Sequence, residues 1–186
     1  MKALIIDNHS KYIEAIRSYL KDYEISVKSY LEINSEDKNN FDLFILSGGY
    51  GRSRVNSDPK VNFQEIDLVR KTMSPVIGIC YGCQLIAESY ESRIEELPEK
   101  VIANKEIVFI KDFLDKKKGD KIVVHEEHHF AIKELGEDLE AYAMSDNGFE
   151  IIKHKQKQLF GFQFHPERFP ELTLGDELFS KLLKNL

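Results

Sequence analysis

Cys80 stands in the run Gly78-Ile79-Cys80-Tyr81-Gly82-Cys83-Gln84, a cysteine set between glycines where a short apolar segment gives way to a helical one. Pro75-Val76-Ile77-Gly78-Ile79 has the uncharged, β-branched character of a strand covered on both faces, and Leu85-Ile86-Ala87 reads as helix. A thiol at such a turn lies at a helix N-terminus, whose unpaired amides favour thiolate and can bind an oxyanion. This is the geometry of the G-x-S-x-G nucleophile elbow with sulfur in place of oxygen. A cysteine nucleophile needs a base, and one stands late in the chain. Leu159-Phe160-Gly161-Phe162-Gln163-Phe164 alternates into His165, Pro166 ends the ladder, and Glu167 follows within reach of the imidazole. Active sites of open parallel sheets collect at strand ends, so a Cys80–His165–Glu167 triad is predicted, with Glu167 fixing the tautomer of the ring.

Alternating elements must bring these distant side chains together. The pattern predicts a strand over 2–7, a helix over 9–21 with Ile13, Ile16 and Leu20 on one face, and strands over 25–30 and 41–46. A helix over 63–73, the central strand 76–79 and the nucleophile helix 84–90 follow. The second half is richer in strands, at 106–110, 121–124, 139–144, 149–153 and 158–164, and a helix over 176–183 closes the chain. Such alternation calls for a mostly parallel central sheet with helices on both faces, an α/β fold. Neither a repeat nor a convincing linker interrupts residues 1–186, which read as one domain.

With 42% hydrophobic and 31% charged residues, the chain is long enough to bury a full core. Its net charge of −6 and the lack of a basic stripe argue against nucleic-acid or membrane-surface partners. Lys116-Lys117-Lys118 reads as a solvated loop. Apolar runs fall short of the roughly 18 residues of a spanning helix, and Met1-Lys2 leads straight into a strand, so a cytoplasmic protein is expected. Two cysteines three apart are few for a disulfide scaffold and fit a reducing compartment.

The motifs together resemble the triad-type, class I glutamine amidotransferases, whose signatures are G-x-C-x-G-x-Q and a later histidine-proline-glutamate at a strand end. Ser47-Gly48-Gly49 behind the apolar run 41–46 is similar to a third family element, and the likeness runs from Leu4-Ile5-Ile6-Asp7 to Thr173-x-Gly175 and the final helix. The resemblance implies the flavodoxin-like amidotransferase fold and a glutaminase half-reaction through a thioester on Cys80, with no cofactor. It also implies an oxyanion hole at Gly49 and Tyr81, and substrate contacts at Gly48, Gly82, Gln84 and His128, with His128 on a loop near the glutamine pocket. Glutamine is the implied substrate and a synthetase subunit, of ATP pyrophosphatase type for GMP synthesis, the implied partner. An anthranilate or aminodeoxychorismate synthase subunit, or an unassigned pathway, stays open. Tyr50 stands where relatives carry proline, and Tyr50, Arg52 and Arg54 read either as a polar loop or as a partner-facing segment.

Other readings use the same residues. Cys80-Tyr81-Gly82-Cys83 is also the C-x-x-C of a dithiol oxidoreductase, which would leave His165-Pro166-Glu167 and Gly48-Gly49 without a task. Cys83 is expected on the inner face of the helix as a small apolar residue, or as a reversible disulfide partner of Cys80. His125-Glu126-Glu127-His128-His129 matches H-E-x-x-H, but a zincin needs that segment helical and here it follows the β-like run 121–124. No metal site is expected, and Asp7 and Asn8 read as capping or loop-binding groups. A non-catalytic regulatory domain on the same fold is the remaining alternative.

Overall fold

The computed structural model describes residues 1–49 and 62–186; Tyr50, Arg52 and Arg54 lie outside them. Apolar runs and alternating stretches fold as strands β1 (Lys2–Asn8), β2 (Glu24–Ser29), β3 (Leu43–Gly49), β4 (Val76–Ile79), β5 (Arg93–Phe109), β6 (Lys121–Glu134), β7 (Leu139–Ser145), β8 (Gly148–His154) and β9 (Leu159–Phe162). The α-helices among the described residues are α1 (Ile13–Ser18), α2 (Phe63–Lys71), α3 (Tyr81–Ser89) and α4 (Gly175–Leu183).

Among the described residues one mixed sheet of nine strands runs in the order β2-β1-β3-β4-β9-β8-β7-β5-β6. The half from β2 to β9 is parallel, and the half from β8 to β6 is antiparallel. Alternation along β1 and β3 sends residues to two cores. Ala3, Ile5, Leu43 and Ile45 share one with Ile16 of α1 and with Leu178, Phe179 and Leu182 of α4. Leu4, Ile6, Phe44 and Leu46 share the other with Leu68 and Val69 of α2 and Leu85, Ile86 and Ala87 of α3. A period of two in the strands thus creates the layers, and uncharged β4, buried at all four positions, lies between them.

Several elements differ from the sequence pattern. The first helix is six residues long rather than thirteen. His9 takes φ 65°, and the amide of Ser10 donates to Asp7 Oδ1 at 2.8 Å, so the chain turns before it coils. β5 begins at Arg93 and β6 continues to Glu134, far beyond the short segments expected. Their charged positions suit a two-stranded arm with one wet face, where polarity hides the strand signal. The same extension makes residues 125–129 the interior of β6, which removes the helix that a zincin requires and puts His128 on a strand rather than a loop.

The sheet curls, so β6 returns beside the chain that leaves β9: His165 N donates to His125 O at 2.8 Å and Leu174 N to Val123 O at 2.9 Å. No helix among the described residues is long and apolar enough to cross a membrane.

Candidate active site

β4 and β9 are parallel neighbours with Ile79 opposite Phe162, and the Cys80 amide donates to Phe162 O at 2.7 Å. The thiol therefore leaves one strand end while His165 follows the adjacent one. Cys80 has φ 50° and ψ −102°, outside the left-handed helical well, a conformation that L residues hold only under constraint from their surroundings. The constraint comes from glycines packed without room for a Cβ. One on Gly78 would lie 2.4 Å from Gly82 C and O, and one on Gly82 would lie 2.2 Å from Leu46 O. Gly82, expected to leave room for substrate, thus leaves room for the backbone of β3. The result seats the N-terminus of α3 directly on the sheet, with Cys80 at its N-cap.

His165 Nδ1 lies 2.8 Å from Glu167 Oε1, and the imidazole and the Cys80 side chain meet over Gly48, where an added Cβ would lie 2.9 Å from His165 Cε1 and 3.6 Å from Cys80 Cβ. With the carboxylate accepting from Nδ1–H, the other ring nitrogen is left for sulfur. Cys80, His165 and Glu167 are all buried. Burial alone would lower the imidazole, but the charges of Glu167 and Cys80 and its hydrogen bond to Glu167 hold it well above its ordinary value. The arrangement favours an imidazolium lodged between sulfur and carboxylate. Cys80 Sγ sits 3.6 Å from Glu127 O and 3.9 Å from Gln163 Nε2.

The cleft beside Cys80 and His165 has a volume of about 260 Å³, and its lining includes Gly48, Gly49, Tyr81, Gln84 and His128. Gly48 passes so close beneath the imidazole that a Cβ there would meet His165 Cε1 at 2.9 Å. The Gln84 amide donates to Phe130 O at 2.9 Å and to Gln163 Oε1 at 3.2 Å, tying α3 to β6 and to the segment after β9. The other wall and mouth carry His9, Lys11, Tyr12, Lys100, Glu127 and His129. Arg168 pairs with Glu127 and lies over the rings of Tyr12 and Phe169, at 4.7 Å and 4.8 Å from their centroids, closing the side beside His165.

Cys83 is fully buried, its Sγ against Gly161, and burial together with the charges of Glu150 and Cys80 pushes its thiol up. It has the surroundings of a packing residue and lacks those of a reactive thiolate. His125 pairs with Asn104 Oδ1 at 2.7 Å and meets Phe169 edge-on, while half-exposed His129 lies 3.7 Å from Glu96. The two histidines of the H-E-x-x-H pattern therefore have separate partners. Asn8 is buried with Ser47 and Glu65 instead of capping α1. Sequence reasoning missed Gln163 beside the thiol and Tyr12 and Arg168 beside His165; the alternation of residues 159–164 past the strand's end was the available signal for Gln163.

Residues 4–185 match the family model described as glutamine amidotransferase class-I. The glutamine-hydrolyzing GMP synthase subunit of Methanopyrus kandleri is 32% identical over 171 residues, covering 88% of this chain and 88% of that one. The gamma-glutamyl-CDP-amidate hydrolase of Campylobacter jejuni is 36% identical over 133 residues, which are 67% of this chain and 61% of that one. With the GMP synthase of Ehrlichia ruminantium, identity is 30% over 175 residues and 89% of this chain, which spans about a third, 33%, of that relative's length. The crystal structure of a glutamine amidotransferase from Thermotoga maritima has a TM-score of 0.76 at 17% identity, covering 100% of this chain and 97% of that one, and it shares the fold.

Proposed function

The chain belongs to the class I glutamine amidotransferase family, and from that premise we propose that Cys80, His165 and Glu167 hydrolyse the side-chain amide of glutamine and that the ammonia serves GMP synthesis in a synthetase partner. One observation carries the chemistry: a strained cysteine at a helix N-terminus lies beside an imidazole that a buried carboxylate orients. The Cys80 thiolate attacks the amide carbon, and the resulting oxyanion is held by the backbone N–H groups of Gly49 and Tyr81. Loss of one such donor costs ~3 kcal/mol of barrier. The imidazolium of His165 gives its proton to departing ammonia, leaving a thioester on sulfur. The ring then takes a proton from water as that water attacks the thioester, and glutamate leaves with the thiol restored. Gln84 and Phe130 shape the wall against which the substrate lies.

GMP synthesis is supported by the near full-length likeness to a free-standing glutamine-hydrolyzing subunit of GMP synthase and by Ser47-Gly48-Gly49. The partner on this reading is an ATP pyrophosphatase-type synthetase, in the cytoplasm, where two free thiols are stable. The test is glutaminase turnover and glutamine-dependent GMP formation with and without the candidate synthetase. Cys80→Ala must abolish both and Cys83→Ala must largely retain them. Loss with both substitutions would point to dithiol chemistry, and no turnover with any synthetase would point to a silent regulatory domain.

A second reading is hydrolysis of a γ-glutamyl amide whose nitrogen carries a phosphorylated group. Lys11 and Lys100 at the mouth of the cleft, together with the 36% identity to a hydrolase of that kind, favour it. Higher kcat/KM for such an amide than for glutamine, with no stimulation by a synthetase, would select it over GMP synthesis.

A further inference from the structure

Beside the cleft, on one face of β6, Glu126 and Glu150 have no part in the proposed chemistry, and they meet His128, which also lines the cleft. Glu126 and His128 are two apart on β6 and so share a face, and Glu150 of β8 meets them there. All three are buried, and one ligand atom from each lies within 4.8 Å of the others. His128 Nε2 is 3.4 Å from a Glu126 carboxylate oxygen.

Each of these side chains has one polar atom with a hydrogen-bond partner and one without. His128 Nδ1 donates to Phe130 O at 3.0 Å, which leaves Nε2 with its lone pair. Asn147 Nδ2 donates to Glu126 Oε2 at 2.6 Å, and Ser145 Oγ donates to Glu150 Oε1 at 2.8 Å. Glu126 Oε1, Glu150 Oε2 and His128 Nε2 are left buried with no hydrogen-bond partner. The three side chains converge, each held through one atom by a neighbour and each with a second atom left for a ligand, which is how ligands of a metal are held. Lys105, half-buried, is a nearby cation and acts on both carboxylates only through its charge.

We propose that Glu126, His128 and Glu150 form a binding site for one divalent transition metal of the zinc class, which ties β6 to β8 beside the glutamine cleft. Two carboxylates and a neutral imidazole give a neutral site with a dication, and the donor atoms, within 4.8 Å of one another, would draw inward to about 2.0–2.2 Å from zinc. The site uses neither cysteine, nor the His125–His129 pair of the H-E-x-x-H pattern. His128 itself lines the cleft, and Phe130 O, which accepts from it, also accepts from Gln84, so one ligand of the ion belongs to the substrate wall.

The experiment uses the full chain purified without metal-affinity steps, equilibrated with zinc and then dialysed against metal-free buffer. Mass spectrometry of the metal content should find about one zinc per chain, both in the wild type and in a Cys80→Ala, Cys83→Ala double variant, with affinity reduced roughly tenfold or more in Glu150→Gln and His128→Gln. Should those two fail to fold, wild-type chain loaded with cobalt(II) must show visible absorption of an oxygen- and nitrogen-ligated ion without the near-ultraviolet band of a thiolate ligand. The proposal is overturned if the wild type retains no zinc, if Glu150→Gln retains as much as the wild type, or if the thiolate band appears. In the first case the unpartnered atoms share protons instead of an ion.

Discussion

The backbone at Cys80 sets up a measurable contest between stability and chemistry. At φ 50° and ψ −102° an L side chain crowds its own carbonyl, and the strain belongs at the upper end of the 1–3 kcal/mol range for such residues, about 3 kcal/mol. Glycine at this position escapes the strain. Against that gain stand about 0.8 kcal/mol for the lost burial of a methyl and about 0.8 kcal/mol for the greater freedom of glycine in the unfolded chain. Comparing Cys80→Gly with Cys80→Ala cancels everything the sulfur does, since both lack the thiol. Cys80→Gly should be the more stable of the two by about 1 to 1.5 kcal/mol, a melting difference of roughly 2–6 °C for a chain of this size. Urea unfolding followed by circular dichroism, with equal slopes for both variants, measures it, and both should be inactive in the glutaminase assay. Equal stability, or a less stable glycine variant, would refute the argument that the elbow holds its nucleophile under strain.

Gly48→Ala should reduce glutaminase kcat roughly 10–100-fold while changing stability by less than about 1 kcal/mol, because the new methyl displaces His165 rather than a core group. In contrast, Gly82→Ala should destabilise by about 1–3 kcal/mol or more in denaturant unfolding, since its Cβ meets the rigid backbone of β3. Glu167→Gln removes the first of the charges that hold the imidazolium protonated, so the pKa of His165 falls. As pH rises through that value the proton for departing ammonia is lost, and the alkaline limb of the kcat profile should therefore move to lower pH. Iodoacetamide near neutral pH should label Cys80 and spare Cys83, whose thiol is raised by burial; peptide mapping reads the result.

How much is legible in the sequence depends on whether a function is local. The elbow can be read because glycine spacing and a strand-to-helix switch occupy seven consecutive residues, and the parallel half follows from apolar runs that need no partner to be recognised. His165 and Glu167 are legible through the proline that ends their strand. The long arm of β5 and β6 is not, since its exposure pattern is that of an edge region, where alternation carries charge on one side and mixed residues on the other. Consequently the histidine-rich segment reads as a loop, and the two-residue spacing of Glu126 and His128 loses its meaning. Gly82 illustrates a different limit: its neighbour is the carbonyl of Leu46, a contact between distant parts of the chain that no local pattern contains.

The pairing of β4 with β9 also governs when reactivity can arise during synthesis. The ribosome releases the thiol long before it has made the imidazole, and the strand that lies beside the elbow is missing throughout that interval. A nascent or truncated product ending before β9 carries a cysteine without an activating neighbour. On the proposed function, glutamine hydrolysis therefore waits until translation has passed β9.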